Sequence, residues 1–434
     1  MSNRFIPTGM TRRHFLEHLA GAAALAGPAA AFTGSLMANA QELKRRNKAA
    51  ILLWMGGGPS TIDLWDLKPD APTGGQFKPA STSADGVQIC EHLPMVAQQM
   101  HHLSIVRSMS TREADHDRGR YYMHTGYVPN PDIEYPSYGA VIAHELWAQV
   151  KDHLEIPPFV SVGGGSEGPG FLGMTWAPFV VGSNGDVRHL QMHLERHRVA
   201  LRLQMLRGLE TQFAAQIAGS PRQAEVRGGL AADHIKVVDK AWSLMTSKQM
   251  AAFKVDQEPQ PVRERYGDTG FGRGCLIARR LVEVGVPFVE VDLGGWDNHG
   301  GIFPTLQNDK LPELDRAMSA LVEDLAQRGR LDDTAIVWMG EFGRTPRING
   351  GAGRDHWARS WSVVVGGAGF KRGIVVGQTN SDGTEVVTEP FTSQDLMASV
   401  LKSLGISLET TFTSRSGRPM KIANSGKVIS ELFA

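Results

Sequence analysis

Short apolar runs alternate with segments of helical periodicity along most of this chain. The runs have the length of buried strands and end in a glycine or a polar turn; they cover residues 48–58, 102–110, 157–165, 287–295, 334–340 and 360–367. The other segments repeat apolar residues every three to four positions, as helices do; they cover residues 137–150, 188–217, 274–285, 311–329 and 393–406. This alternation predicts a three-layer α/β/α sandwich with a mainly parallel sheet.

The first 40 residues have the pattern of an export signal. Arg12 and Arg13 precede a Phe-Leu pair, an Ala/Gly-rich apolar run follows, and small residues end the segment at 38–40. This order is typical of twin-arginine signal peptides, whose translocase exports folded proteins. We therefore expect residues 1–40 to be a signal peptide and the protein to be periplasmic or secreted. An ordinary amphipathic N-terminal helix is the alternative.

The remainder, residues 41–434, is long enough for one large α/β domain, with a helical insertion at about 187–255. The chain has 45 Lys plus Arg and 45 Asp plus Glu, so no excess of charge favours nucleic acid. Beyond the signal, no run reaches the roughly 18 apolar residues of a membrane span. Cys90 and Cys275 are the only cysteines. A single disulfide between them is possible in an oxidising compartment.

Three polar clusters each follow the last apolar residue of a predicted strand; they cover residues 56–66, 292–301 and 340–347. In open α/β sheets, ligands bind beyond the carboxyl ends of the strands. We therefore expect these clusters to meet at one site, although they come from distant parts of the chain.

Several side chains in and near these clusters suit a divalent metal ion. Asp297 and His299 stand among four glycines, and aspartate with histidine is a ligand set for zinc or a similar ion. Glu341 directly follows a strand, and Asp355 with His356 closes a glycine-rich loop. The alternative interpretation of Asp297 is a helix cap in a polar turn.

Two further groups leave more than one interpretation open. Asp63 follows glycines 56–58, which lack the lysine and the spacing of a phosphate-binding loop. It suits a position in or behind a metal site, while the neighbouring Ser60 suits a helix cap. Arg344 and Arg347 offer planar forks for an anion, or form surface salt bridges.

The segment 115–130, DHDRGRYYMHTGYVPN, concentrates titratable side chains around a Thr-Gly pair. Among them are His116, Asp117 and Arg120. Burying so many polar groups is costly unless they bind a partner. The residues themselves leave three hypotheses: a catalytic loop, a metal site, or a polar helix start.

The whole chain after the signal is similar to the secreted family called domain of unknown function 1501. The motifs that carry this resemblance are GGPSTIDLWDLKP, HDRGRYYMHTGY, GGWDNHG, GEFGRTP and GRDHW. Their order also resembles that of the alkaline phosphatase and sulfatase superfamily, and implies an alkaline phosphatase-like fold. The positions that match the superfamily's site residues, in chain order, are Asp63, the segment 115–130, Asp297 with His299, Glu341, and His356.

The resemblance places His116 where sulfatases carry their nucleophile. The arginine, threonine, glycine and proline of the sulfatase segment are matched here, but position 116 has neither hydroxyl nor thiol. Three hypotheses follow. His116 and Asp117 bind metal and a metal-activated water attacks the substrate; His116 is itself the nucleophile; or the site binds metal and an anion without turnover. A formylglycine-dependent sulfatase is excluded, because neither cysteine lies in the required motif.

Together, the residues and the resemblance predict an exported metal-dependent hydrolase of a phosphate or sulfate ester that uses metal-activated water. The expected cofactor is a divalent ion, with zinc favoured over manganese or calcium, and the expected substrate is an anionic ester such as a sulfated or phosphorylated glycan. The expected metal ligands are Asp63, Asp117, Asp297, His299, Glu341 and His356, and the expected catalytic residues are His116, Arg120 and Arg344. The alternative is a non-catalytic exported protein that binds a metal or a glycan on the same scaffold.

Overall fold

The computed structural model describes residues 47–187, 195–216, 238 and 242–433. The predicted signal peptide, residues 1–40, lies outside these ranges, as does part of the predicted helical insertion at about 187–255. Within that insertion, Arg196–Gln216 is helical. Both assignments therefore stay predictions. The following paragraphs concern the unit that begins at Lys48.

The strands of the described ranges are, in chain order, β1 (Ala49–Trp54), β2 (Pro79–Ser81), β3 (Gln88–Cys90), β4 (Leu103–Met109), β5 (Phe159–Val162), β6 (Phe179–Val181), β7 (Phe288–Asp292), β8 (Thr334–Met339), β9 (Gly343–Arg344), β10 (His356–Trp357), β11 (Trp361–Gly366), β12 (Val375–Val376), β13 (Thr411–Thr413) and β14 (Pro419–Lys421). Eight of them form one sheet in the spatial order β12-β4-β11-β8-β1-β7-β5-β6.

All strands of this sheet except β11 run in the same direction. β1 pairs in parallel with both β7 and β8, and β5 pairs in parallel with β7 and β6. β11 is antiparallel to both of its neighbours, β4 and β8. The prediction of a mainly parallel sheet is therefore confirmed, and the carboxyl ends of β8, β1, β7 and β5 lie side by side at one edge.

The α-helices of the described ranges are α1 (Thr61–Leu64), α2 (Pro94–Ala97), α3 (His116–Thr125), α4 (Tyr138–Val150), α5 (Arg196–Gln216), α6 (Gln260–Tyr266), α7 (Gly270–Val284), α8 (Ile302–Thr305), α9 (Leu311–Gln327) and α10 (Ser393–Ser403); residues 242–246 are also helical, and short 3-10 or π segments occur elsewhere. Within the same ranges, none has the length and apolar character that crossing a bilayer requires.

The two faces of the sheet belong to two separate hydrophobic cores. Along β1, Ile51 and Leu53 face one core, and Leu52 and Trp54 face the other. Such alternation is expected because successive side chains of a strand point to opposite faces. Helices α7 and α9 bury their apolar residues in the first core, and α4 and α10 bury theirs in the second. The predicted three-layer α/β/α arrangement is confirmed.

The polar segment 115–130 begins with helix α3. The side chain of Asp115 caps this helix by accepting a hydrogen bond from the backbone N–H of Arg118. Gly126 ends it in the left-handed region, with φ of 74°, which glycine adopts without strain. His116 is therefore the first helical residue, and the segment is a polar helix start. Whether the segment also belongs to a metal or catalytic site depends on the residues that face this first turn.

Cys90 and Cys275 are both free and buried. The disulfide that the sequence left open is therefore not formed. Burial raises the pKa of the Cys90 thiol to about 12, so this side chain behaves as a small apolar residue of the core.

Candidate metal centre

The polar ends of distant segments meet beyond the sheet edge, as the sequence predicted. His116 lies at the start of α3, Asp297 follows β7, and His356 lies in β10. One ligand atom from each of these three residues lies within 4.8 Å of the other two. Three residues grouped in this way could hold one metal ion.

Three imidazole rings turn the same nitrogen towards one carboxylate. The Nε2 atom of His116 lies 3.3 Å from Asp297 Oδ2. The Nε2 atoms of His299 and His356 lie 3.0 and 3.2 Å from Asp297 Oδ1. His299 Nε2 also accepts a hydrogen bond from Arg344 Nη1 at 3.4 Å and lies 3.1 Å from His356 Nε2, so its lone pair already has a donor. The Nε2 atoms of His116 and His356 are the better placed pair for a metal ion.

The other nitrogen of each ring contacts an oxygen at 2.7 Å. For His116 the oxygen is Oε1 of Glu341, for His299 it is Oδ1 of Asp355, and for His356 it is the backbone carbonyl of residue 114. An acceptor at Nδ1 keeps the proton of the neutral ring there and leaves the Nε2 lone pair for a metal. With the proton on Nδ1, the Nε2 atoms beside the Asp297 carboxylate can bind a cation.

Glu341 holds the His116 ring and the glycine turn after β1 in place. Its side chain is 3 % exposed, and its Oε1 accepts hydrogen bonds from Gly57 N at 2.9 Å and from the His116 ring. Within the described part of the chain, Glu341 Oε2 and His116 Nε2 are buried and have no hydrogen-bond partner. Unpaired buried polar atoms are costly. A cation bound at this centre would give these two atoms the partner that they lack.

Asp297 is held ionised by Arg344. The Nη2 atom of Arg344 donates to Asp297 Oδ1 at 2.5 Å. Partial burial raises the pKa of Asp297, but the hydrogen bond and the charge of Arg344, together with His356 and His116, outweigh this effect and lower the pKa to about 2. The carboxylate is therefore available as a ligand at any pH above that value.

The side chain of Arg344 is fully buried, and its guanidinium group donates hydrogen bonds to other residues of the protein. Its Nε donates to the carbonyl of Gly58 at 2.7 Å, its Nη1 to the carbonyl of Arg354 at 3.2 Å, and its Nη2 to the carbonyl of Gly57 and to Asp297. The sequence predicted a fork for a substrate oxygen. The structure instead commits these donors to positioning Asp297 and the glycine turn after β1.

Asp63, a predicted metal ligand, lies outside the cluster. Both oxygens of its buried carboxylate are engaged by Arg354, at 2.7 and 2.8 Å, and Oδ2 also accepts from Ser60 at 2.6 Å. A bidentate arginine satisfies a carboxylate without any metal. The structure therefore gives Asp63 a partner that the sequence analysis did not identify.

Asp117 and Arg120, two other residues of α3 that the sequence assigned to the site, do not contact the cluster that His116 joins. Asp117 is exposed on the outer side of the first turn and makes none of the polar contacts that join the cluster. Arg120, one turn further on the inner side, lies over the Trp54 ring at 5.6 Å and donates to Glu167 at 3.2 Å and to the carbonyl of Gly165. The metal role of Asp117 thus gains no support from its position.

The sequence analysis missed the residues that hold the predicted ones in place. Asp355 fixes His299, and Asn349 donates to both Asp355 at 3.2 Å and the His299 carbonyl at 3.0 Å. Asp355 was visible as the neighbour of His356, but nothing local marks its contact with a residue 56 positions earlier. Arg354 stood in the motif GRDHW, but nothing in the sequence marked its contact with Asp63, because the two residues are 291 positions apart.

Residues 47–433 match the model of the family described as "Protein of unknown function (DUF1501)". The chain belongs to the DUF1501 family. The family resemblance seen in the motifs is thereby confirmed over nearly the whole described chain. No curated protein matches the sequence.

The matching solved structures include a sulfatase and alkaline phosphatases, all at low identity. The PsFucS1 sulfatase from Pseudoalteromonas sp. is 13% identical, with a TM-score of 0.38, over 86% of this chain and 70% of that one. The alkaline phosphatase from the Antarctic bacterium TAB5 is 10% identical, with a TM-score of 0.29, over 83% of this chain and 98% of that one.

The contact between His116 and Glu341 predicts a pH dependence of the metal-free protein. The hydrogen bond and charge of Glu341 raise the pKa of His116 despite burial. The protonated ring therefore stabilises the fold fully below the unfolded-state pKa of about 6.5, and this stabilisation is lost as pH rises through the raised pKa. Because metal requires the neutral ring, metal affinity should rise over the same range.

NMR titration of the histidine Cε1–H signals, in protein freed of metal by a chelator, measures this pKa directly. We expect Glu341→Gln to lower the pKa of His116, because the neutral amide removes the charge that favours the imidazolium. His144, which lies outside the centre, serves as the internal reference. A His116 pKa that is the same in wild type and variant would contradict the assignment of Glu341 as its partner.

Proposed function

We propose that this chain hydrolyses a phosphate or sulfate ester with a divalent metal ion held by His116, Asp297 and His356. The observation that carries the proposal is the convergence of imidazole Nε2 atoms on the Asp297 carboxylate. Two histidines and one carboxylate are a ligand set of catalytic zinc sites, which keep a position open for water or substrate. Zinc is therefore the first choice, ahead of manganese and calcium, which prefer oxygen ligands.

When bound, such an ion supplies a Lewis acid that polarises an ester oxygen and lowers the pKa of a water molecule. The residues of the chain prepare the site for it. Glu341 holds the proton of His116 on Nδ1, the carbonyl of residue 114 does the same for His356, and Arg344 keeps Asp297 ionised. We assign contact with an anionic substrate oxygen to Arg120, which lies one turn after His116 on the same face of α3, a contact that would compete with its hydrogen bonds to Glu167 and to the carbonyl of Gly165.

In the proposed reaction, the attacking nucleophile is a water molecule and not a side chain. His116 stands at the position of the nucleophile in the sequence resemblance, but both of its ring nitrogens face carboxylates, at 2.7 Å from Glu341 and 3.3 Å from Asp297. A ring oriented in this way supports a ligand role better than a nucleophilic one. Direct hydrolysis needs no covalent intermediate.

One observation favours the second candidate function, which is binding without turnover. Arg344, the arginine nearest the cluster, directs its guanidinium to backbone carbonyls and Asp297. Enzymes of phosphoryl or sulfuryl transfer need positive charge at the reacting oxygens. If Arg120 does not supply it, the site is a metal and anion receptor.

Metal content and ester turnover of purified protein test the proposal. We expect wild type to hold about one zinc ion per chain and to hydrolyse 4-nitrophenyl phosphate or 4-nitrophenyl sulfate. The double substitution Asp297→Ala, His356→Ala removes two ligands, so it should lose the metal and at least about 100-fold in turnover. Asp117→Ala is the matched control, because Asp117 is exposed and outside the cluster.

The outcomes separate the candidates. Metal and turnover in wild type and in Asp117→Ala, with loss of both in the double variant, support the hydrolase. Metal without turnover of either ester supports the receptor. Equal metal content in wild type and the double variant would refute the metal centre.

We further propose that the protein acts in the periplasm or outside the cell after export by the twin-arginine route. The paired arginines, the weakly apolar run and the small-residue end of residues 1–40 support this. Replacing Arg12 and Arg13 by lysine should retain the protein in the cytoplasm, which cell fractionation and immunoblotting measure. Unchanged export of that variant would contradict the proposed route.

A further inference from the structure

The arginine assigned to the substrate anion is already paired with a carboxylate of the chain. Arg120 Nε donates to Glu167 Oε1 at 3.2 Å, and its Nη2 donates to the carbonyl of Gly165. Both acceptors belong to the segment 163–168 that follows β5, which we call the glycine loop. A guanidinium fork binds carboxylate and phosphate oxygens with the same geometry. The Glu167 carboxylate therefore takes the kind of position that an anionic substrate oxygen needs.

The pair of Arg120 and Glu167 is partly exposed, unlike the other arginine pairs of this region. The two side chains are 29 and 25 % exposed. Those of Arg344 and Arg354 are fully buried, and each has a carboxylate partner. Separating a buried ion pair is strongly destabilising, whereas a solvent-exposed pair contributes little to stability. Of these three arginines, Arg120 is the one that can exchange its partner for an anion from solution.

The guanidinium of Arg120 lies at the carboxyl ends of two central strands. It sits over the Trp54 ring at 5.6 Å, a contact that uses none of its N–H groups. Burial raises the pKa of Asp292, and the nearby charge of Arg120 opposes this effect. Trp54 and Asp292 are paired at the ends of β1 and β7, and the loop after β7 carries Asp297. The guanidinium is thus beside the metal centre.

The backbone of the glycine loop is anchored separately from the Glu167 side chain. Ser166 donates to the buried carboxylate of Glu290 on β7. The other oxygen of Glu290 lies 3.1 Å from Nε2 of His124, which belongs to α3 like Arg120. An exchange of anions at Arg120 therefore needs a rotation of the Glu167 side chain, and the loop itself stays in place.

We propose that Glu167 is an autoinhibitory group of the site: its carboxylate pairs with Arg120 in the free protein, and the anionic group of the substrate displaces it. This inference rests on the proposed function, which assigns Arg120 to the anionic substrate oxygen. A carboxylate that stayed beside Arg120 would repel the incoming anion. Glu167 therefore lowers the affinity of the site for phosphate and sulfate groups.

Isothermal titration calorimetry of the zinc-loaded protein with inorganic phosphate and with sulfate, at one pH and ionic strength, tests this competition. We expect Glu167→Gln to bind both anions about threefold to fivefold more tightly than wild type, because the neutral amide removes the competing charge. Glu134→Gln is the matched control, and its affinities should equal those of wild type. Glu134 is exposed and close to Gly168 of the glycine loop, but it is neither of the two groups to which Arg120 donates.

The titration can overturn the proposal in either direction. If Glu167→Gln binds the anions only as well as wild type, or if neither protein binds them, the carboxylate does not compete. If the variant binds them more weakly, Glu167 is a positioning residue that orients Arg120 for the anion. Because the titration measures binding alone, absence of ester turnover refutes only the hydrolase. Turnover in wild type together with equal affinities refutes only the autoinhibitory contact.

A crystal of the zinc-loaded protein soaked in sodium sulfate shows the exchange itself. We expect a sulfate oxygen within hydrogen-bond distance of Arg120 Nε, in the place of Glu167 Oε1, with the Glu167 side chain turned towards solvent. A sulfate ion bound at the metal centre while Arg120 still contacts Glu167 would contradict the proposal.

Discussion

The geometry of the metal centre depends on one buried guanidinium group. Arg344 joins the glycine turn after β1, the loop after β7 and the hairpin of β9 and β10, because it donates to Gly57, Gly58, Asp297 and Arg354. Those segments carry or adjoin the proposed ligands Asp297 and His356. An arginine is suited to this role, since its planar fork makes several hydrogen bonds in fixed directions and stays charged when buried.

Buried charge is costly unless it is paired, and each fully buried arginine here is paired. Arg354 engages Asp63, Arg344 engages Asp297, and Arg279 on α7 lies 2.7 to 3.0 Å from three carboxylates, those of Glu258, Glu283 and Asp324. Of these pairs, the Asp297 pair lies beside the Nε2 atoms of His116, His299 and His356. The pairing with Arg354 thus explains why Asp63 is buried, with no metal ion needed. The pairing of Asp297 with Arg344 does not explain why three histidines surround Asp297.

The sequence revealed the fold because strands and helices leave local periodic signals. The apolar runs 48–58 and 287–295 became β1 and β7, and the rule that ligands bind beyond strand ends predicted that the clusters of Asp297 and Glu341 meet. The resemblance added His116, which lies in the centre at the start of α3. These are features that a short stretch of sequence carries.

The partners of the site residues could not be predicted in the same way. Asp63 and Arg344 looked available in the sequence because their partners, Arg354 and the carbonyls of Gly57 and Gly58, are nearly 300 positions away. Whether a polar side chain is free or engaged depends on such long-range contacts, which no local pattern encodes.

An anomalous difference map from a crystal soaked in zinc, collected on both sides of the zinc absorption edge, tests the central claim most directly. The account predicts a peak about 2.0–2.2 Å from His116 Nε2, His356 Nε2 and an oxygen of Asp297. No peak there, or a peak whose ligands are other residues, would contradict it.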